Sequence, residues 1–249
     1  MKSFYFFSAL LFLAGCKKDG SSSQCSLEES QLFINGSSAQ NETQTYQYDS
    51  QGRITKAGSS GFTRKYEYYA DSVVVTFDYQ NGMTYFLNHS GLADSAKMRY
   101  PASTNTNGLQ LGYTYTYDMD GFLVQVRQIF SQLYNGNVLH DTIFLNYTVL
   151  NGQIIKSTDT QSPQDQYYEY TTTAMPANNR ELNIFPSAEG RFLGKAPTNL
   201  VSRIKDQAGN VISTFSYFFD VNGNVSKKKA VDGSAAAGTV VSEFIYQCN

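Results

Sequence analysis

The sequence predicts an all-β chain: a large, twisted and curled antiparallel sheet of consecutive hairpins, with at most one short helix. Three observations carry this. Apolar and aromatic residues recur at every second position over most of the length, the period of a half-buried strand. Asp or Asn followed three residues later by Gly separates those runs, at 49–52, 88–91, 118–121, 206–209 and 220–223. The composition also suits strands. There are 19 Tyr and 17 Phe and only 16% charged residues, and aromatic side chains fill a pleated surface well.

In chain order, Leu32 and Ile34 open the alternation. Tyr46 and Tyr48, Tyr66 and Tyr68, and Val73, Val75 and Phe77 continue it. Leu109, Leu111, Tyr113, Tyr115 and Tyr117 form its longest unbroken run, and Phe122, Val124 and Val126 return from the turn that follows. Phe144, Tyr147, Ile154, Tyr168, Tyr170, Phe215, Tyr217 and Phe219 mark later strands, and Phe244, Tyr246 and Cys248 share one face of the last. In each Asp-x-x-Gly corner the carboxylate can accept backbone N–H groups two residues on, and Gly supplies positive φ where the chain turns back. Two stretches break the rhythm. Thr104 to Gly108 reads as a polar loop, and 176–199 is a Pro-rich insertion in which Ser187 to Leu193 is the one candidate helix.

The N-terminus is read separately. Lys2 and the apolar stretch from Phe4 to Leu13 make a signal peptide, because ten residues are too few to span a bilayer, which needs about 20. It ends in Leu13-Ala14-Gly15-Cys16, which resembles the bacterial lipobox. That implies cleavage before Cys16 and acylation of Cys16, hence a lipid anchor in the outer membrane. The polar run Lys17 to Gln24 then serves as a flexible tether, compatible with a periplasmic or a cell-surface face. The chain divides into a lipoprotein signal peptide at 1–15, a lipidated tether at 16–24 and one β domain at 25–249. With Cys16 acylated, Cys25 and Cys248 remain. In an oxidising envelope such a pair is expected to form a disulfide tying the first element to the last.

One sentence is written three times. Tyr46-Gln47-Tyr48-Asp49-Ser50-Gln51-Gly52-Arg53-Ile54 is the fullest copy; Tyr117-Asp118 with Gly121 and Phe219-Asp220 with Gly223 are the others. This pattern resembles the YD repeat of RHS and teneurin-type proteins, whose hairpins form a long curling sheet. With the lipobox and the stretch Tyr85 to Ser95, the layout resembles a Bacteroidota lipoprotein family of unknown function with degenerate, RHS-like YD repeats. The second and third copies carry Phe122 and Asn224 where the first has Arg53. The resemblance supplies no activity, and it makes Tyr48, Asp49, Gly52, Tyr117, Asp118, Gly121, Phe219, Asp220 and Gly223 structural.

Chemistry-bearing motifs are sparse. A net charge of −2 leaves no basic footprint for nucleic acid, and Lys227-Lys228-Lys229 reads as a solvated strand. The two His, His89 near Asp94 and His140 beside Asp141, are each half a triad at best. Asp118-Met119-Asp120-Gly121 opens like a calcium loop but has Ile129 where the twelfth-position acid belongs, so no metal and no cofactor are expected. Tyr167, Tyr168 and Tyr170 are the best candidates for a ligand-facing aromatic patch. The resulting expectation is a non-catalytic, lipid-anchored binding or scaffold module for a protein or glycan. The alternatives are a periplasmic carrier of a hydrophobic ligand and a hydrolase using acids such as Asp94 or Asp141.

Overall fold

The computed structural model describes residues 25–34, 37–77, 81–99, 109–134, 137–162, 164–176, 182–186, 190–233 and 238–248. The expected signal peptide and tether and the loop expected at 104–108 lie outside these residues. Sixteen strands follow one another. They are β1 (Cys25–Ile34), β2 (Ser37–Tyr48), β3 (Ile54–Gly58), β4 (Thr63–Tyr68), β5 (Ser72–Phe77), β6 (Gly82–Leu87), β7 (Ala93–Arg99) and β8 (Gln110–Tyr117). Then come β9 (Leu123–Tyr134), β10 (Asn137–Leu150), β11 (Gln153–Asp159), β12 (Gln166–Ala174), β13 (Asn199–Lys205), β14 (Val211–Phe219), β15 (Val225–Asp232) and β16 (Thr239–Cys248).

Every strand pairs antiparallel with its sequence neighbours, and β1 pairs with β16, so the sheet is a closed barrel. This corrects the expectation of a curled sheet of YD-type hairpins. The two edge strands match in register from Cys25 opposite Cys248 to Ile34 opposite Val240, with one bulge between Leu27 and Glu29. Closure satisfies the backbone groups that an open sheet of this length would leave exposed along both edges. Of the candidate helix at 187–193, residues 187–189 lie outside the described residues. Its described part is a single 3-10 turn, Arg191–Leu193, ended by Gly194 at φ +95°, within the expectation of at most one short helix.

The up-and-down order gives the barrel two distinct ends. Connections after even-numbered strands, the start of β1 and the end of β16 all lie at one end, here called the corner end; connections after odd-numbered strands lie at the far end. Around the core the two faces of the wall differ. Tyr46, Tyr66, Val73, Val75, Met83, Tyr85, Ala96, Val126, Tyr147 and Phe244 are buried in the interior. Their strand neighbours Lys65, Glu67, Lys97 and Arg127 are exposed on the outside, as are Arg203 and Lys229 farther round the wall. Opposed residues on the outer face form ion pairs, with Lys227 2.7 Å from Glu243 and Arg203 3.5 Å from Glu169, which Lys205 also meets. Lys227 and Lys229 of the basic run thus belong to this outer wall, whereas Lys228, opposite Tyr217 and Ser242, is on the inward face, 5.4 Å from the centre of the Phe215 ring.

Candidate functional site

The corner end is the most constructed part of the molecule. In each Asx corner one carboxyl or amide oxygen accepts two backbone N–H groups. Asp49 Oδ1 takes those of Gln51 and Arg53 at 2.9 Å each, and Asp118 Oδ1 those of Asp120 at 3.0 Å and Phe122 at 2.9 Å. Asp220 Oδ1 takes those of Asn222 and Asn224 at 2.9 and 2.8 Å, and Asn88 does the same for Ser90 and Leu92. The Gly N–H closes the turn on the Asp carbonyl, at φ +71° for Gly52, +86° for Gly121 and +81° for Gly223. Asp206 builds the matching corner at the far end.

These contacts make the corners sensitive to acid. The Arg53 backbone N–H holds the Asp49 carboxyl below the usual carboxylate range, and the Asn210 side-chain amide does the same for Asp206. For Asp220 partial burial pushes upward, but the bonds from Asn224, Asn222 and Gly223 together outweigh it. A depressed folded-state pKa contributes stability that is complete above the unfolded value of about 3.9 and is lost as pH falls through the folded value. Melting temperature should therefore hold between pH 7 and 5 and drop steeply below about pH 4. Replacing Asp49, Asp206 and Asp220 together with Asn, the residue that already serves at position 88, should flatten that acid limb. An unchanged limb would assign acid sensitivity elsewhere.

Tyrosine hydroxyls brace the wall just inside the corners. Tyr68 donates to the Ile54 carbonyl at 3.0 Å, Tyr170 to Ile154 at 2.6 Å, Tyr217 to Val201 at 2.7 Å and Tyr246 to Val225 at 2.9 Å. Each reaches from a strand running toward the corner end to the opening of the strand before it. Burial pushes the Tyr170 and Tyr217 phenols well above their usual range, so they stay protonated donors. Tyr217→Phe keeps the ring but strands a carbonyl on Val201, a fully buried residue. We expect a loss of roughly 1–2 kcal/mol, read by urea unfolding, and a similar loss for Tyr170→Phe.

The barrel interior is filled from the corner end by the segment between β12 and β13. Leu182, Phe185, Phe192 and Leu193 are buried and join the core lined by the strands. Phe185 sits edge-on to two wall rings, 6.2 Å from Tyr147 at 88° and 4.9 Å from Tyr168 at 70°. Phe192 lies 4.8 Å from Tyr85. The backbone of this plug is stitched to the corners. Lys195 N–H donates to Gly121 O at 3.0 Å, Thr198 N–H to Gly152 O at 3.0 Å, and the Tyr117 hydroxyl to Phe192 O at 3.4 Å. Gly194 is demanded twice, by its φ of +95° and by the Gly121 carbonyl 3.0 Å from where a Cβ would stand. A depression remains between plug and corners, lined by Arg53, Tyr68, Asp118, Asn183, Arg191 and Lys195 among others.

Several sequence-level candidates separate in space. Tyr167, Tyr168 and Tyr170 do not form one patch. Tyr168 and Tyr170 pack against the interior cluster, with the Tyr168 hydroxyl 2.7 Å from Ser157. Tyr167 is on the outer wall, beside Lys156, with its hydroxyl donating to Asp165. The alternation of the strand sends neighbouring side chains to opposite faces. His89 sits in the corner between β6 and β7, whereas His140 lies in the far half of β10, 2.8 Å from Ser131 across the strand pair. The two His do not converge. Among the described residues no group of three or more His, Cys, Asp and Glu could hold a metal ion. Cys25 and Cys248 are register partners across the closing seam. Sequence reasoning missed the plug, although Leu182, Ile184, Phe185, Phe192 and Leu193 are more large apolar side chains than a surface connection carries.

Comparison with curated proteins gives no match. Among solved structures the chain is similar to a porin-like protein from Bacteroides uniformis, at 18% identity and a TM-score of 0.68, over 89% of this chain and 98% of that one. It is also similar to a porin-like protein from Bacteroides vulgatus, at 13% identity and a TM-score of 0.63, over 90% of this chain and 99% of that one. Residues 46–227 match a domain of unknown function (DUF4595) with porin-like fold, and the chain belongs to that family.

Proposed function

We propose that this chain is a lipid-anchored module of the cell envelope whose barrel is a closed scaffold presenting its outer wall and far-end loops to a protein or glycan, with no pore and no catalytic role. The anchor rests on the lipobox ending in Cys16 and the tether behind it. The observation that carries the rest is the polarity of the wall. A membrane-spanning barrel turns an apolar band about 25 Å tall outward and keeps its lumen polar. Here the outward positions include Lys65, Glu67, Lys97, Arg127, Arg203 and Lys229, and the buried inward ones are mainly apolar, with Ser30 and Ser157 hydrogen-bonded to inward tyrosines. Each Lys or Arg facing lipid near the midplane would cost roughly 2–4 kcal/mol. Strands β3 to β6 have five or six residues, against the ~9–11 a spanning strand needs.

The carrier alternative fits less well, because Leu182, Phe185, Phe192 and Leu193 already occupy the space an apolar ligand would take. The hydrolase alternative lacks a convergent set, since Asp94 and Asp141 stand on β7 and β10 and the two His lie toward opposite ends. The test is planar-bilayer recording with the mature, acylated protein, paired with photo-crosslinking in intact cells from probes on the far-end connections. We expect no discrete conductance and a discrete crosslinked partner. Resolved conductance steps would overturn the scaffold reading.

A further inference from the structure

Most of the exposed large apolar residues among those described lie at the end where the chain enters the barrel, while Phe62, Leu139, Tyr167 and Val211 lie toward the far end. Met119 and Val221, each directly after the Asp of an Asx corner, are fully exposed. Leu150 stands exposed at the corner between β10 and β11, and Phe218, Phe219 and Ile245 are exposed near the corner-end termini of β14 and β16. Single exposed apolar residues need no explanation, but side chains projecting from several tips of one rim do. The matched corner at the far end, Asp206 to Gly209, carries Gln207 and Ala208 at its tip. The position after the capping Asp or Asn is apolar at two of the four near-rim Asx corners, Ser50 and His89 filling the other two, and polar at the far one, with the same backbone geometry in each.

The start of β1, Cys25, is at this same rim. Between it and Cys16 lie only eight residues, with a fully extended reach of about 30 Å. We infer that the corner end is the membrane-facing surface of the anchored protein, and that Met119, Leu150 and Val221 dip into the headgroup region of a lipid bilayer. This rests on the anchored reading above. Asp118, Asp120 and Asp220 stand beside the apolar tips, so the contact is shallow and fits a zwitterionic surface better than an anionic one. The plug and the depression around it then face the bilayer, and the far-end connections face away from it.

The chain contains no Trp, so one substitution supplies a unique fluorophore. Met119→Trp and Gln207→Trp place it at the same position of a near and a far corner, both exposed and outside the core. Each variant is produced as the acylated mature protein and reconstituted on phosphatidylcholine vesicles containing brominated chains. We expect blue-shifted emission and strong quenching for the residue-119 reporter and neither for the residue-207 reporter, with weaker quenching at 119 when phosphatidylglycerol is added. Equal quenching at both sites, or at 207 alone, overturns the orientation. Vesicle flotation separates this from the anchor. Protein that floats while its residue-119 reporter stays in water sinks the orientation and leaves the anchor standing. Wild-type protein that fails to float, as Cys16→Ser should, sinks both.

Discussion

Replacing Cys248 with serine is expected to produce the largest loss of stability of any single substitution outside the core. The register places Cys25 opposite Cys248 across the β1–β16 seam. Directly opposed residues of an antiparallel pair have Cα atoms about 4.5–5.5 Å apart, inside the range of roughly 4.4–6.8 Å that a disulfide bridges. A bond there would close a loop of roughly 220 residues and restrict the unfolded chain by about 5 kcal/mol on the loop-entropy account. For a domain of this size that is a fall in melting temperature on the order of 10–20 °C. Cys25→Ser should do the same, and the double variant should lose no more than either single one. Mature protein should show no thiol reactive toward a maleimide until it is reduced. Two reactive thiols before reduction, or wild-type melting in Cys248→Ser, would remove the bond.

The same seam shows what the sequence could and could not reveal. The corners were legible because their chemistry is local: one carboxylate, two N–H groups and a glycine within five residues. The inward alternation of Tyr66, Val73, Val75, Tyr85 and Tyr217 was legible because strand period is local too. Closure is not local. It depends on how many strands accumulate and with what stagger, and no window of a few residues holds that information. The terminal cysteines were the one cue to adjacency of first and last strands. The YD-like sentence misled for a related reason. It describes an Asx hairpin corner, which serves an open spiral and a closed barrel equally well. Tyr167, Tyr168 and Tyr170 look like one patch because they cluster in sequence, but the strand's alternation sends Tyr167 outward and the other two inward. The plug was hidden in a Pro-rich, Asn-rich stretch whose composition says loop, while Phe185 and Phe192 within it say core.

Phe185→Ala should cost about 3–5 kcal/mol, the range for truncating a buried aromatic ring, and it bears directly on the choice between scaffold and carrier. Phe185 is held edge-on between Tyr147 and Tyr168, and Asn183 Oδ1 accepts its backbone N–H at 3.1 Å. The wall around it is braced, since Tyr170 and Tyr217 donate to carbonyls on Ile154 and Val201. A braced wall collapses little into the space a lost ring leaves, which puts the loss toward the upper end of that range. The vacated volume is apolar, so it should stay dry and accept a small apolar probe such as benzene or xenon. Urea unfolding measures the first effect, and a rise in melting temperature on adding benzene measures the second. If the barrel is a scaffold, wild-type protein shows no such rise and Phe185→Ala does. A wild-type protein that is already stabilised by the probe would mean that the plug leaves room for a guest, and the carrier reading would then be the better one.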